Sequence, residues 1–469
     1  MSYTYTDPVI AKLAGAKDAY PDLDAEGYIK ALQGAITYDT TSYADVSKMK
    51  GGEFKGLHAH FEKCFPLVHA HMTKEVVNDW SLLYFWKGSD PSLKPMLMMS
   101  HLDTVPVIPG TENDWTHGCR SGELADGLIW GRGACDTKSQ VLAELAACEY
   151  LLSKGFAPKR SLYLCFGHDE ETMNPYGSKA IADLLASRGV ELEFVIDEGG
   201  GFIDAEKYGA PGAMIAQVSV FEKGYADVSV TATSKGGHSS KPGKRTSLGK
   251  VCAAVAAIEA AQFAPTLWPP VAKFFKDIAK YITEEPLKSL VADIDENPQA
   301  LAGYLYSKDE LAPLVHTTTA PTMLEGGSPA PNVLTQTVTA TINFRTAPSD
   351  STQDVLAHCI KAVNDPDVTC KLVRGMEPSK ISGFTTYGFK AVEKMVSKFY
   401  PTAATVPFIV TGGTDCQYFD GICGTCMRFR PVYDCHIKSN AHTTDEKCSA
   451  DAYVHCIKAF VWLIENVQA

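Results

Sequence analysis

The chain has 469 residues, of which 45% are hydrophobic and 21% are charged. These proportions are typical of packed globular proteins and exclude wholesale disorder, and the length favours two domains over one. The 43 Lys and Arg residues against 55 Asp and Glu residues leave a formal net charge of −12. This acidic balance argues against a generic surface for nucleic acid or anionic membranes.

The start of the chain and the cysteines indicate a compartment. Met1–Leu32 contains no basic start followed by an apolar run, and no apolar run in the chain approaches the length of a transmembrane helix. There are 14 cysteines in a long chain without an export signal, so we expect reduced thiols. The sequence therefore predicts a cytoplasmic protein.

Apolar runs and helical patterns alternate in the first half of the chain. We expect strands at Lys94–Ser100, Ser161–Phe166 and Leu192–Ile196, with helices at Thr137–Leu152 and Ser178–Ser187 between them. This alternation predicts an α/β fold with a doubly wound mixed sheet. Ligands of such sheets bind beyond the carboxyl ends of the strands.

The pattern changes near residue 223. Tyr225–Ala232 and Gln336–Phe344 alternate apolar and polar residues, as half-exposed antiparallel strands do. Each is followed by a helical pattern, at Leu248–Gln262 and Thr352–Val363. These two strand and helix groups predict a smaller α+β domain inserted into the larger one.

The α/β character returns after Gly383, with helices expected at Gly388–Phe399 and Ala450–Val467. We therefore predict a discontinuous larger domain, residues 1–222 and 381–469, and an inserted domain, residues 223–380. A helical insertion is expected around residues 265–314.

Five side chains that can bind metals lie at the ends of predicted elements, and successive members are 35, 35, 26 and 245 residues apart. Imidazole and carboxylate ligands without thiolates suit Zn²⁺, Mn²⁺ or Co²⁺. Two histidines and three carboxylates are enough for two ions if one carboxylate bridges them, and two such ions can together hold a hydroxide and polarise a carbonyl group. The five residues are His101, Asp136, Glu171, Asp197 and His442.

The segments around these residues resemble those of the zinc-dependent M20 family of peptidases and amidohydrolases, in family order. The branch they resemble most is the carboxypeptidase S and N-acyl-amino-acid hydrolase group. The likeness extends from Leu57 to the last predicted helix. The segments are SHLDTVP (Ser100–Pro106), GRGACDTK (Gly131–Lys138), GHDEE (Gly167–Glu171), FVIDEGG (Phe194–Gly200), SKGGHSS (Ser234–Ser240), APNV (Ala330–Val333), NFR (Asn343–Arg345) and AHTTDEK (Ala441–Lys447).

The resemblance implies a role for each metal-binding candidate. His101 and Asp197 would bind one ion, Glu171 and His442 the other, and Asp136 would bridge the two. Zn²⁺ is the expected metal, with Mn²⁺ or Co²⁺ as alternatives. The family pattern also implies a cis peptide after the bridging residue, here Asp136–Thr137.

The resemblance also implies three catalytic residues. Glu170 would be the general base that activates the attacking water, and Asp103 would hydrogen-bond the far nitrogen of His101. Residue types support this, because a metal-binding histidine needs an acceptor that fixes its tautomer. His238 in the inserted domain would stabilise the oxyanion, often across a dimer in this family.

Substrate binding is implied for a further set of residues. Asn332 and Arg345 would bind the acyl and carboxylate ends of the substrate, and Arg is suited to a carboxylate because its planar fork binds both oxygens. A loop would line the opposite wall through Gly412, Gly413 and Thr414. Cys416-Gln417 replaces the Ser-Arg that the branch commonly has after this loop.

Several alternatives stay open. Glu198 competes with Asp197 as a ligand, and His436 competes with His442. Glu170-Glu171 could be a solvated helix start, and Gly236–Ser240 could be a plain flexible loop.

Two further motifs have less specific interpretations. The histidine pairs His58/His60 and His69/His71 lack carboxylates at matching spacing, which favours packed or solvated side chains. Cys423 and Cys426 form a lone C-x-x-C, for which core thiols are favoured over a zinc site with Cys416 and Cys435 or a redox motif.

The function that follows from the resemblance is hydrolysis of a C-terminal peptide bond or of an N-acyl amino acid by a two-metal enzyme. The expected partners are a small peptide or N-acyl amino acid and a second copy of the chain through the inserted lid domain, without nucleic acid or membrane. One alternative is an aminoacylase or deacetylase that acts on a non-peptide amide. The other is a metal-binding or ligand-binding protein without turnover, which would not need Glu170 as a base.

Overall fold

The computed structural model describes residues 3–469, which form two compact units. The first unit comprises the chain up to Val220, together with Ser382–Phe408 and Thr414–Ala469. The second comprises Phe221–Ile381 and Ile409–Gly413.

The helices of the two units are numbered in chain order. Within the described residues the α-helices are α1 (Pro8–Leu13), α2 (Ala25–Ile36), α3 (Gly51–Cys64), α4 (Pro66–His71), α5 (Lys138–Ser153), α6 (Ser178–Ser187), α7 (Ser247–Ala260), α8 (Pro269–Ile278), α9 (Leu287–Ala292), α10 (Pro298–Tyr306), α11 (Thr352–Val363), α12 (Tyr387–Phe399) and α13 (Ala450–Asn466).

The strands are numbered in the same way. They are β1 (Thr73–Val77), β2 (Ser81–Trp86), β3 (Met96–His101), β4 (Leu124–Ala125), β5 (Leu128–Trp130), β6 (Leu162–Gly167), β7 (Phe194–Asp197), β8 (Gly201–Asp204), β9 (Met214–Glu222), β10 (Gly224–Thr233), β11 (Gly237–His238), β12 (Thr318–Glu325), β13 (Val333–Leu334), β14 (Thr337–Thr346), β15 (Val368–Met376), β16 (Ala403–Val410), β17 (Cys426–Arg428) and β18 (Lys447–Ser449).

The main sheet has nine strands in the order β1-β2-β6-β3-β7-β17-β9-β16, with β8 paired to β9. Strand β3 lies between β6 and β7 and is parallel to both, and β17 is parallel to β7. The chain passes from β3 through α5 to β6, and then through α6 to β7 on the other side of β3. This reversal of strand order makes the carboxyl end of β3 the switch point at which ligands of such sheets bind.

Both faces of this sheet are buried, because the central strands carry apolar side chains in both directions. In β3, Met96 and Met98 pack into a large core with α2, α5 and α13. Leu97 and Met99 point to the opposite face and pack against α6. The apolar run predicted for a buried strand therefore sits at the centre of the sheet.

The second unit is built on a four-stranded antiparallel sheet in the order β12-β14-β10-β15. In β10, alternate residues are buried from Ala226 to Ala232, and they pack with α7 and α11. This single covered face produces the alternation of apolar and polar residues seen in the sequence. Helices α8, α9 and α10 lie between residues 265 and 314.

The predicted fold class, a doubly wound mixed sheet with a smaller inserted α+β unit, is confirmed. No helix within residues 3–469 has both the length and the apolar character needed to span a membrane.

Candidate metal centre

His101 is the last residue of β3 and is buried at the switch point of the sheet. Its Nδ1 lies 3.0 Å from the backbone oxygen of Asp103 and 3.4 Å from the Asp103 carboxylate. These contacts fix the ring, so that Nε2 is left to face the cluster.

Asp136 stands between two imidazoles. Its Oδ1 lies 3.1 Å from Nε2 of His101, and its Oδ2 lies 3.0 Å from Nε2 of His442. The peptide from Asp136 to Thr137 is cis, as the family resemblance implied. One carboxylate that offers a separate oxygen to each histidine has the geometry needed for a bridging ligand.

Glu170 and Glu171 follow β6 in a short 3₁₀ turn. The Asp103 carboxylate accepts hydrogen bonds from both of their backbone N–H groups, at 3.2 Å each. Glu171 turns its Oε2 to within 3.1 Å of His442 Nε2, whereas Glu170 Oε2 lies 3.9 Å from His101 Nε2. The two adjacent carboxylates therefore face different histidines.

The third pair of adjacent carboxylates follows β7. Asp197 is buried, and its two oxygens accept from the backbone N–H of Glu198 at 2.8 Å and from Oγ1 of Thr414 at 2.9 Å. Glu198 Oε1 lies 3.4 Å from His101 Nε2. Glu198, and not Asp197, thus forms a group of ligand atoms with His101 and Glu170.

The charges of this cluster shift its pKa values. Burial raises the pKa of Glu170 well above its ordinary value and raises the pKa of Glu171 to about 7. Hydrogen bonds to Asp136 and Glu171 raise the pKa of His442 to about 10. Nearby positive charge would therefore stabilise the carboxylates of this cluster, and divalent cations can supply it.

The donor set fits divalent ions of the zinc type. It consists of imidazole nitrogens and carboxylate oxygens, which suit Zn²⁺, Mn²⁺ and Co²⁺. Oε1 of Glu171 is buried and has no hydrogen-bond partner among residues 3–469, so a ligand atom is available without breaking a protein contact. His101, Asp136 and Glu171 form one group with ligand atoms within 4.8 Å of one another, and His101, Glu170 and Glu198 form a second.

The rival histidines have other partners. Nε2 of His436 lies 2.6 Å from Asp7, at the start of α1. His58, His60 and His69 lie within hydrogen-bonding distance of backbone oxygens at 2.9, 2.7 and 2.8 Å. These contacts support the packed interpretation of the histidine pairs.

The C-x-x-C cysteines lie apart from the candidate ligand groups. Neither group found within the described part of the chain contains a cysteine. Cys426 is buried in β17, and none of the 14 cysteines forms a disulfide bond. This arrangement agrees with the interpretation of Cys423 and Cys426 as thiols that pack in the core.

Within the second unit, His238 and Asn332 lie at one end of the sheet. The short strands β11 and β13 pair His238 with Val333, and Ser239 N donates to the Asn332 oxygen at 2.9 Å. His238 is exposed, and its Nδ1 contacts Ser240 Oγ at 2.8 Å.

Arg345 lies at the other end of the same sheet, because it pairs with Tyr225 at the start of β10. Its guanidinium lies 4.9 Å from the centre of the Tyr225 ring. Gly412 and Gly413 also belong to the second unit, whereas Thr414 belongs to the first and donates to Asp197.

Two residues that hold the cluster have no recognisable signal in the sequence. Ser42 Oγ donates to the Asp103 carboxylate at 2.5 Å from 61 residues away, and no spacing rule links the two. Oε1 of Glu446 accepts a hydrogen bond from the backbone N–H of Asp136, although the AHTTDEK segment that contains Glu446 predicts only His442 as a site residue.

Comparison with known proteins agrees with this geometry. The profile of peptidase family M20/M25/M40 matches residues 97–466. A probable carboxypeptidase S-like 2 of Dictyostelium discoideum is 31% identical over 456 residues, covering 96% of this chain and 87% of the relative. An N-fatty-acyl-amino acid synthase/hydrolase PM20D1 of Mus musculus is 33% identical over 454 residues, covering 94% of this chain and 87% of the relative.

The fold is also shared with a solved structure. Human carnosine dipeptidase 1 superposes with a TM-score of 0.66 at 14% identity, covering 95% of this chain and 97% of that chain. The fold and its His and carboxylate cluster define a metal-dependent hydrolase of the peptidase and amidohydrolase type. The chain belongs to peptidase family M20/M25/M40, and the prediction of an M20-type metallopeptidase or amidohydrolase is confirmed.

Proposed function

We propose that this protein is a two-metal hydrolase that cleaves the amide bond next to an amino acid with a free carboxylate. The substrate is a C-terminal peptide bond or an N-acyl amino acid. The observation that carries the proposal is the position of Asp136, whose two oxygens lie 3.1 and 3.0 Å from the imidazoles of His101 and His442. The relatives are named as a probable carboxypeptidase S-like protein and an N-fatty-acyl-amino acid synthase/hydrolase. Both names refer to enzymes that act on an amide bond next to an amino acid.

Each ion would have its own ligands in addition to Asp136. Glu171 and His442 would bind one ion, and His101 with Asp197 would bind the other. Bound divalent ions would supply positive charge at the carbonyl oxygen and lower the pKa of the attacking water.

Glu170 is the general base of this proposal. It shares the turn of Glu171, but its carboxylate is not turned to His442, and burial keeps its pKa high. A carboxylate with a raised pKa takes a proton from water and returns it to the leaving amine nitrogen more readily than an exposed one does. Asp103 orients both Glu170 and His101, because it contacts the backbone of one and the ring of the other.

Substrate binding would use Arg345 for the carboxylate and Asn332 for the acyl part, and Gly412, Gly413 and Thr414 would be further substrate-binding residues. Arg345 is suited to this role because a guanidinium binds two carboxylate oxygens at once. His238 would donate to the oxyanion, and one such donor contributes on the order of 10²–10³ in rate.

We further propose that His238 and Asn332 act on the active site of a second copy of the chain. Tyr225, opposite Arg345, and Thr233, at the His238 end, are eight residues apart in β10. At about 3.3 Å per residue, the two ends of the sheet are about 26 Å apart. The carboxylate and the scissile carbonyl of one substrate are only a few ångströms apart, so one chain cannot supply both groups to the same molecule.

The edge strand β12 supports such a dimer. It pairs only with β14 among the described strands, and Met323 and Leu324 are 54% and 58% exposed. A groove of about 390 Å³ runs between β12 and α7, and its lining includes Val255 and Pro321. An exposed apolar edge of this kind is a common place for a second chain to pack.

The cytoplasm remains our proposed location. None of the 14 cysteines forms a disulfide bond, which suits a reducing compartment.

A substrate series tests the bond that is cleaved. The purified protein with added Zn²⁺, Mn²⁺ or Co²⁺ would be given dipeptides, N-acyl amino acids and the same compounds with an amidated carboxylate, and amine release would be measured. We expect hydrolysis only where the carboxylate is free. Equal hydrolysis of the amidated compounds would instead favour a deacetylase of non-peptide amides, and no turnover at all would favour a binding protein.

The change Glu170→Gln tests the mechanism. It should keep two zinc ions per chain and lower the hydrolysis rate by about 10²–10⁴-fold, as expected for a lost general base. Glu191→Gln is the control, because Glu191 is exposed and its ion-pair partner within residues 3–469 is Lys94. A Glu170→Gln enzyme with the rate of the control would show that another group is the base.

A further inference from the structure

The loop Gly131–Asp136, which carries the bridging carboxylate, is held from one side by a single buried side chain. Oε1 of Glu446 accepts hydrogen bonds from three backbone N–H groups of this loop, those of Gly133, Cys135 and Asp136, at 3.0, 2.9 and 3.0 Å. Glu446 is fully buried. One carboxylate oxygen thus fixes the backbone immediately before and at Asp136.

The other oxygen of Glu446 connects this loop to the loop of His442. Oε2 accepts from Nη1 of Arg132 at 2.6 Å, and Nη2 of Arg132 donates to the backbone oxygen of Thr443 at 3.1 Å. Thr443 directly follows His442 in the chain. The Glu446–Arg132 pair therefore contacts the backbone of two segments, the one that carries Asp136 and the one that carries His442. In the proposed function these two residues would bind the same ion.

This arrangement requires a carboxylate. All four donors that face Glu446 are N–H groups, and a carboxylate is an acceptor at both oxygens. An amide in the same position would turn its own N–H₂ group toward either the three backbone donors or the Arg132 guanidinium. Buried donors that lose their acceptor carry the full cost of desolvation, so the loop would shift to recover partners.

We propose that Glu446, together with Arg132, is a positioning residue that sets the distance between the Asp136 carboxylate and the His442 imidazole. Glu446 touches neither histidine nor the substrate, and it acts through the backbone of the two loops. The inference rests on the proposed two-metal site and deepens it. It follows that zinc affinity depends on Glu446 although Glu446 is not a ligand.

The loop keeps other anchors when the Glu446 side chain is changed. Arg430 donates to the Cys135 oxygen at 2.7 Å, and Gly131 N donates to the backbone oxygen of Glu446 at 2.9 Å. Neither bond uses the Glu446 carboxylate. We therefore expect Glu446→Gln to fold with a displaced Asp136.

The test is a zinc titration of the metal-free full-length protein against a chromogenic chelator. Glu446→Gln should weaken zinc binding by about 10–100-fold, the usual effect of removing a partner that orients metal ligands. Arg132→Lys keeps the positive charge beside Glu446 but loses the planar guanidinium that donates to both Glu446 and Thr443. Because the charge is kept, we expect this change to weaken zinc binding less than Glu446→Gln does. Circular dichroism melts of the metal-free proteins would be recorded alongside.

Glu149→Gln is the matched control. Glu149 is also a buried glutamate and accepts from the backbone N–H groups of Leu67 and Val68, at 3.0 and 2.8 Å, at the start of α4. This change should lower the melting temperature without weakening zinc binding more than about twofold, because α4 carries no ligand.

The outcomes separate the inference from the proposed function. Wild-type affinity in Glu446→Gln, or an equal loss of affinity in Glu149→Gln, would overturn the positioning role while the two-metal site stands. A wild-type protein that binds fewer than two zinc ions would overturn both. A selective loss in Glu446→Gln, smaller in Arg132→Lys, supports the inference.

Discussion

Neighbouring carboxylates take different partners throughout the metal centre. Glu170 and Glu171 diverge because Asp103 holds the backbone N–H groups of both, so their side chains leave the turn in different directions. Asp197 and Glu198 diverge in the same way, one bonded to Thr414 and the other facing His101. At the scale of single residues, the chemistry is therefore set by which member of each pair faces which imidazole.

We predict that Asp197, and not Glu198, is the ligand of the ion at His101. Asp197 ends β7, which is paired with β3, and ligands on strands are held more precisely than ligands on loops. Its hydrogen bond from Thr414 is the kind of support that metal-binding carboxylates usually have. Asp197→Asn should leave about one zinc ion per chain by elemental analysis, and Glu198→Gln should leave two. The reverse result would assign the ligand to Glu198, whose Oε1 lies 3.4 Å from Nε2 of His101.

The helices that support the centre are buried on all sides. In α5, every residue from Lys138 to Leu151 is buried, so the helix lacks the one-sided apolar stripe of a surface helix. Helix α13 packs against α5 and is buried almost throughout. At the scale of elements, α5 and α13 cover one face of the main sheet and pack against β3, whose carboxyl end carries His101.

His455 in α13 should make the protein sensitive to acid. Its Nε2 lies 2.9 Å from the Phe399 oxygen and its Nδ1 lies 2.8 Å from the Tyr5 hydroxyl, and burial lowers its pKa to about 4. Between pH 6.5 and pH 4 the unfolded chain binds a proton here that the folded chain does not, so the free energy of unfolding falls as the pH falls. His455→Gln should reduce the loss between pH 7 and pH 5 by about 2 kcal/mol in urea denaturation.

His71→Gln provides the comparison for this measurement, because His71 is exposed. Its unfolding free energy should keep the wild-type dependence on pH. A His455→Gln protein that loses as much stability as wild type between pH 7 and pH 5 would show that His455 is protonated in the folded state.

The inserted unit carries its candidate binding groups at opposite ends of one antiparallel sheet. Arg345 lies at one end, and His238 and Asn332 lie at the other. At the scale of the whole molecule, this separation makes a dimer part of the proposed mechanism, because a complete site then needs two chains.

Mixing two inactive variants tests this requirement. In a mixed dimer of Glu170→Gln and His238→Ala, one site combines an intact Glu170 with an intact His238 from the other chain. After random reassociation we expect about a quarter of the wild-type rate, since half of the dimers are mixed and each has one complete site. The proposal lets Arg345 bind substrate in its own chain, so a mixture of Glu170→Gln with Arg345→Ala should stay inactive. Failure of the first mixture to exceed its components would contradict the shared site.

Where local patterns predicted an element, its observed bounds lie close to the predicted ones. The helices expected at Ser178–Ser187 and Thr352–Val363 are present there, and the alternating strand expected at Gln336–Phe344 is observed at Thr337–Thr346. Strand β9 (Met214–Glu222) was not predicted. It is buried on both faces and reads as a nearly continuous apolar run, which periodicity cannot distinguish from other buried segments. Its neighbours β16 and β17 also come from almost 200 residues later in the chain.

The sequence by itself determined the types of candidate ligand, and for His101, Glu171 and Asp197 also the strand ends near which they lie, because these residues follow apolar runs that predict buried strands. It could not determine which oxygen faces which nitrogen. Asp136 contacts His442, which lies 306 residues later in the chain. This contact depends on loops that Glu446, Arg132 and Asp103 hold in place. Such contacts are made through space between backbone groups and single side chains, so only the tertiary structure decides them.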